Sequence, residues 1–322
     1  MCTRRTNRFL LLCFIVLFPV TLASAAGAGE QVEGGGDPTP GGVTLTDARG
    51  EDVVVRDTSR VVTLGSAVTE IVHALGRGDR VVGADASSVY PPEGLEGVPR
   101  TGYVRDLSAE GVISLDPTLI IGSTDVGPPE VITQVEDAGI PVFIVPEEDS
   151  FEGAKTRVEL VGRLLDADTE AEGIIAEINR DAEQARELAG DLPDEERVRV
   201  MFVYARGVGS LNVSGTDTSA DAIIRLAGGQ NAVTDYQGYR PLTAEAAVAI
   251  NPDVLLFLDG GLASLGGVES LADVPGLAET SALQNGRVLS FDAVYLLGFG
   301  PRVGRAAVEL AQALYPDGAA GP

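Results

Sequence analysis

From Val43 to Arg56, apolar and polar residues alternate on both sides of Ala48-Arg49-Gly50, a period of two that predicts a β-hairpin. The short run Arg60-Val-Val-Thr-Leu64 is apolar throughout and reads as a buried strand. It enters Gly65-Ser66 and then a period-3.6 stripe, Val68, Ile71, Val72 and Leu75, that ends at Gly76; this is a helix with a stop. Further apolar runs at Val81–Ala84, Leu119–Ile121 and Val142–Val145 are separated by helical patterns. Strands alternating with helices predict an α/β lobe around a mostly parallel sheet.

The middle of the chain changes period. Phe151–Leu165 carries Val158, Val161, Leu164 and Leu165 at helical spacing. Thr169 with Glu172 has the form of a capping box, and Ile174, Ile178, Ala182 and Ala185 continue the stripe to Leu188. The helix predicted over Thr169–Ala189 is roughly 31 Å long at 1.5 Å per residue. Beyond it, Arg197–Val203 reads as a strand, Tyr204–Thr218 as a loop and Ala220–Leu226 as a helix. Val254–Leu258 is a strand ending in a Gly-rich turn, Val288–Phe291 another strand, Leu296–Arg302 a loop and Val303–Leu314 a closing helix.

One stretch is written twice. Gly102-Tyr103-Val104-Arg105 precedes Leu107-Ser108-Ala109-Glu110, and Gly238-Tyr239-Arg240-Pro241 precedes Leu242-Thr243-Ala244-Glu245; each copy then runs through a short apolar helix, Asp/Asn-Pro and an apolar strand. Glu110 and Glu245 lie 135 residues apart, which is the size of a domain and far longer than a solenoid repeat. The expected architecture is therefore two similar α/β lobes, 43–166 and 191–318, joined by a single long helix over 167–190.

The N-terminus is a different object. Arg4, Arg5 and Arg8 precede the apolar run Phe9–Val20, and Ala23-Ser24-Ala25 offers small residues for cleavage. Residues 1–25 read as a secretory signal peptide and 26–42, rich in Gly and Pro, as a disordered leader. Both cysteines, Cys2 and Cys13, fall in the signal, so the mature chain has no disulfide, and Cys13 lies inside the apolar run, away from a lipidation site. These features predict an exported, unanchored periplasmic protein, and a monomer is expected. A net charge of −25 makes nucleic acid a poor partner.

Candidate chemistry is sparse. His73 is the only histidine and flanks the apolar stripe of its helix, which argues for packing and against a zinc or copper site. No nucleophile elbow, phosphate-binding loop or Ser/His/Asp set is present, so no enzyme activity is expected. What remains is binding between the lobes. Tyr103 and Tyr239 sit beside Arg105 and Arg240. A tyrosine at a loop end is often a packing residue with a wet hydroxyl. A ferric ion and a nearby guanidinium would instead favour its phenolate, and the arginines would suit ligand carboxylates. Glu110 and Glu245 open matching helices, either as capping residues or as paired anionic pegs for a symmetric basic partner.

Several stretches carry a resemblance to a known family: Gly65-Ser-Ala-Val-Thr-Glu-Ile-Val72, Tyr90-Pro-Pro92, Gly102-Tyr103-Val104-Arg105, Leu107-Ser-Ala-Glu-Gly111, Ala220–Gly229, Tyr236–Thr243 and Leu297-Gly-Phe-Gly-Pro-Arg302. Over roughly Val43–Pro316 the chain resembles the periplasmic substrate-binding proteins of ABC importers for vitamin B12, iron-siderophores and haem, and within them the haemin-binding members. The resemblance implies a class III periplasmic-binding-protein fold and haem as the transported ligand. It makes Tyr103 the axial iron ligand with Arg105 steadying its phenolate, and Arg240 and Arg302 residues that meet propionates or close the cleft. The loop that supplies a second ligand in some members reads Tyr204-Ala205-Arg206-Gly207 here, without histidine, so Tyr204, Tyr239 or no residue fills that place. Glu110 and Glu245 fall where such proteins dock on their permease. The residues also fit a carrier of cobalamin or a ferric siderophore, with Tyr103 stacking on the ligand, and more remotely an extracellular module that transports nothing.

Overall fold

Leu45, Val53 and Val55 face inward from a hairpin whose intervening residues face solvent, as the alternation requires. Its strands, β1 (Val43–Thr46) and β2 (Asp52–Val55), pair antiparallel with Val43 opposite Val55. The computed structural model describes residues 42–316; the signal peptide expected over 1–25 and all but the last residue of the leader lie outside them.

The first lobe continues with β3 (Val61–Leu64), α1 (Ser66–Ala74), β4 (Val81–Ala84), α2 (Ala109–Ile113), β5 (Leu119–Gly122), α3 (Pro129–Asp137), β6 (Val142–Ile144) and α4 (Phe151–Leu164). The strands form a parallel sheet in the order β4-β3-β5-β6. Every residue of β3, β5 and β6 is buried, because helices cover both faces of a parallel sheet. The strand order reverses between β3 and β5, and a doubly wound sheet offers its ligand crevice at the carboxyl ends flanking such a switch.

α5 (Asp168–Ala189) then joins the lobes as one unbroken helix. Thr169 does not cap it: the helix starts one residue earlier, with Ala167 at the cap position and no side-chain bond there. The capping-box pattern was met by a helix already begun in the tight turn after α4. α5 lies very close to its neighbours. A Cβ on Gly162 of α4 would come within 2.6 Å of the Ala171 Cβ, and one on Gly304 within 2.7 Å of the Asp181 Cβ. Glycine at both contacts lets the connecting helix seat between the lobes.

The second lobe comprises β7 (Arg199–Ala205), β8 (Leu211–Ser214), α6 (Ser219–Leu226), β9 (Gln230–Asn231), β10 (Tyr239–Pro241), α7 (Ala244–Ile250), β11 (Val254–Leu258), α8 (Asp259–Ser264), α9 (Ser281–Gln284), β12 (Val288–Phe291), α10 (Ala293–Leu297) and α11 (Val303–Leu314). β7, β11 and β12 are parallel neighbours, β9 adds to β7, and β8 runs antiparallel between β7 and β10. Three expected loops contain structure. Tyr204–Thr218 holds the end of β7 and all of β8, the Gly-rich turn after β11 is α8, and Leu296 and Leu297 end α10. β8 has only four residues, and α8 begins Asp259-Gly-Gly, so neither shows a readable period.

Candidate functional site

A cleft of about 620 Å³ opens between the lobes. On the first lobe it is lined by Gly65 and Ser66 after β3, Ser123 and Asp125 after β5, and Val145 and Glu147 after β6. These are the carboxyl ends on which the switch-point argument converges. Thr218, Ser219 and Ala222, in the first turns of α6 and its cap, face them from the second lobe.

Tyr103 stands on the first-lobe side in a pinned loop. The Asp106 amide donates to the Tyr103 carbonyl at 2.9 Å, while Gly127 donates to the Val104 carbonyl at 3.0 Å and accepts from the Leu107 amide at 3.1 Å. The backbone is held while the Tyr103 side chain is left open; the residue is 73% exposed, so its ring is free to meet a ligand. Val104 lines the cleft beside it. Arg105 bonds the Asp125 carboxylate, which raises its proton affinity and holds the guanidinium at the cleft edge.

An aromatic cluster sits on the second lobe beside the cleft residue Thr218, without itself lining the cleft. Tyr239 opens β10 opposite Ser214, and its ring meets Phe202 edge-on at 6.4 Å and Tyr204 at 6.1 Å. Gly215 makes this arrangement possible: a Cβ there would lie 2.1 Å from the Tyr236 carbonyl oxygen. Burial pushes the Tyr239 phenol above its ordinary range, only partly opposed by hydrogen bonds with Ser214 and Thr218. Tyr204 has a different neighbour. Arg206 Nε donates to its hydroxyl at 2.9 Å, and the guanidinium carbon lies 5.3 Å from its ring centroid. Such a donor fixes where the phenol oxygen points.

Arg240 stacks on Tyr236 at 4.3 Å. Arg302 lies elsewhere, in a separate depression with Tyr90 and Tyr295, and its fork is engaged by Glu70. Thus Tyr204 and Tyr239 come together, Tyr103 and Arg105 occupy the opposite lobe, and Arg302 is set apart. Glu110 and Glu245 are both exposed, and the capping bonds belong to their neighbours: Ser108 accepts from Gly111 N and Thr243 from Ala246 N, each at 3.2 Å. His73 sits in the last turn of α1, about 10 Å along the helix from Ser66. Its Nε2 is buried without a partner among the described residues, and burial lowers its pKa.

Two functional candidates escaped the sequence reading. Arg206 had a signal, since Tyr-x-Arg occurs at 103–105 and again at 204–206. Arg157 had none. It is 2% exposed at the cleft floor and donates to the carbonyls of Glu148 (3.0 Å), Gly153 (3.4 Å) and Gly298 (3.5 Å). Burial draws its pKa down while Glu147, Asp149 and Glu148 push it back up.

In the solved structure of the periplasmic heme-binding protein RhuT from Roseiflexus sp. RS-1, in apo form, the match has a TM-score of 0.75 at 41% identity and covers 81% of this chain and 99% of that one. The periplasmic heme-binding protein BhuT, in complex with two hemes, matches with a TM-score of 0.74 at 38% identity over 80% of this chain and 98% of that one. An uncharacterized ABC transporter substrate-binding lipoprotein, YvrC of Bacillus subtilis (strain 168), is 30% identical over 278 residues, 85% of this chain and 86% of YvrC. More distant relatives, 24% to 29% identical, are named cobalamin-binding or vitamin B12-binding proteins. A family model described as periplasmic binding protein matches residues 61–295, and the chain belongs to that family.

Proposed function

We propose that the protein captures ferric haem between lobes 43–166 and 191–318 and delivers it to the permease of an ABC importer. The observation that carries this reading is the contact of Arg206 with Tyr204 on the second lobe, whose Tyr-x-Arg spacing recurs in sequence as Tyr103-Val104-Arg105 on the first. Tyr103 is open on the first lobe, and Tyr204 accepts from Arg206 at 2.9 Å on the second. A phenol ordinarily titrates near 10, so a neutral-pH phenolate needs a cation, and iron with a guanidinium supplies it. Tyrosinate is an established type of haem ligand. Tyr103 is the first axial ligand, steadied by Arg105. Tyr204 is the second, with Tyr239 edge-on beside it. Arg105, Arg206 and Arg240 offer guanidiniums to propionates. The chain performs no catalysis, and haem is its cargo.

The signal peptide over 1–25 sends it to the periplasm, where it acts as a monomer. Glu110 and Glu245, exposed at matching helix starts on the two lobes, are the contacts for basic residues of the permease. Names of the more distant relatives favour cobalamin as a second reading. Parallel absorbance titrations of the mature protein with haemin and cyanocobalamin decide between them. Saturable haemin binding with a tyrosinate-type ferric spectrum, lost in Tyr103→Ala, is expected. Saturation by cyanocobalamin alone would replace haem.

A further inference from the structure

Outside the ligand walls, the lobes are tied by a half-buried ion pair whose members are 232 residues apart. Glu70 lies on α1 of the first lobe with a side chain only 4% exposed, and Arg302 immediately precedes α11 in the second. Nε meets Oε1 at 2.6 Å and the terminal nitrogen meets Oε2 at 2.8 Å, the two-pronged geometry that fixes angle as well as distance. The same guanidinium is stacked 3.6 Å from the ring centroid of Tyr90, of the first lobe, and 4.9 Å from that of Tyr295, of the second. The guanidinium is therefore held both by a two-pronged ion pair and by aromatic contacts from each lobe.

Both ends are held firmly. Next to Glu70, Thr69 is buried, bonding Thr63 at 2.8 Å and Ser88 at 2.6 Å, and Asp85 accepts from the Gly65 amide at 2.9 Å. Near Arg302, Phe299 is fully buried in a left-handed conformation (φ 49°), a state a non-glycine residue keeps only where its surroundings over-determine it. That turn presents the Gly298 carbonyl to Arg157 on one side and Arg302 to Glu70 on the other. Ser219 adds a third tie between lobes, donating to Asp149 at 2.6 Å.

We infer that Glu70 and Arg302 form a strut that fixes the width of the cleft and so selects a flat macrocycle over a thick one. The selectivity rests on the haem reading above; the strut does not. A porphyrin touched on both faces at carbon contact distance needs walls roughly 7–8 Å apart. A corrinoid with bulky axial groups needs more. Lobes held at one spacing accept the first and exclude the second without any contact to either. Glu70 and Arg302 are in this sense positioning residues, and Arg302 acts without touching the ligand.

The test uses the mature chain, whose lack of cysteine allows a spin-label pair at Glu130→Cys and Glu279→Cys, one exposed site per lobe. Double electron–electron resonance on the ligand-free protein should give one narrow distance distribution. The double variant Glu70→Met/Arg302→Met, which leaves no unpaired buried charge, should broaden and lengthen it. Arg302→Lys keeps the charge but loses the fork and the stacking, and should broaden it less. Haemin dissociation should accelerate about tenfold or more in the double variant, with binding of cyanocobalamin gained. Unchanged distributions in both variants would overturn the strut. Broadening in a protein that binds no haemin would leave the strut standing and remove the haem reading instead.

Discussion

Arg206 donates to the hydroxyl of Tyr204 from two residues along β7 and its turn, so the guanidinium sits on the oxygen that would meet iron. The spacing matches that of Tyr103 and Arg105 on the other lobe, but the use differs, because Arg105 is bound to Asp125. Removing Arg206 therefore takes a charged donor away from the Tyr204 oxygen while leaving Tyr103 as it was. Arg206→Ala should weaken ferric haem binding about tenfold, the effect of losing one charge-assisted hydrogen bond. Tyr204→Phe should convert a six-coordinate ferric spectrum to a five-coordinate one. An identical spectrum in Tyr204→Phe would assign the second position to Tyr239 or leave it empty.

Tyr103 separates binding from folding. At 73% exposure the side chain contributes little to the core, so Tyr103→Ala should change stability by no more than about 0.5 kcal/mol. Haemin affinity should collapse in the same variant. Denaturant midpoints beside a haemin titration check both halves, and a large loss of stability would mark Tyr103 as a packing residue.

The repeat around Glu110 and Glu245 was legible because it is local: Leu, Ser/Thr, Ala and Glu lie within four residues, and the structure gives both copies the same capping bond at 3.2 Å. The apolar stripes of α1, α4 and α5 were legible for the same reason, since each needs only a period. What escaped depends on residues far apart or on elements too short to show a period. Glu70 and Arg302 meet across 232 residues, and nothing near either one in sequence announces the other. β8 earns its strand status from β7 and β10 on either side, not from Leu211–Ser214 alone. Arg157 looked like an ordinary polar position on α4 until the second lobe's Gly298 covered it.

Gly215 should not tolerate a side chain. An added Cβ would collide with the Tyr236 carbonyl at 2.1 Å, which is backbone and has nowhere to go. Gly215→Ala should cost about 1–3 kcal/mol by overpacking and weaken haemin binding by shifting the segment that leads into Tyr239. Gly173→Ala, on an exposed and open face of α5, should stabilise by about 0.5–1 kcal/mol. Opposite shifts in the two thermal midpoints check the pair.

His73 gives the stability a pH dependence of known sign. Burial holds its folded pKa below the ordinary value, so the unfolded chain binds the proton more readily. Its contribution is complete above about pH 6.5, the ordinary histidine value, and is lost as pH falls below it. Between pH 7.5 and 5.0, the wild type should lose more stability than His73→Gln. As the single histidine, its imidazole resonance in the untagged protein reports the folded pKa directly. Parallel losses in the two proteins would show that carboxylates alone set the acid response.

Docking on the permease should be separable from capture. Glu110 and Glu245 are exposed, and the caps of α2 and α7 are Ser108 and Thr243, so charge reversal at either glutamate leaves the helix starts intact. Each sits in a first helical turn, where an arginine is unfavourable by only about 0.3–1 kcal/mol. Glu110→Arg and Glu245→Arg should therefore fold and bind haemin as the wild type does. Opposing a basic permease surface, each reversal should reduce haem uptake by reconstituted importer at least tenfold, and the double reversal should abolish it. Because the two positions are equivalent in the repeat, the single variants should be impaired alike. Loss with one and not the other would mean that only one lobe contacts the permease.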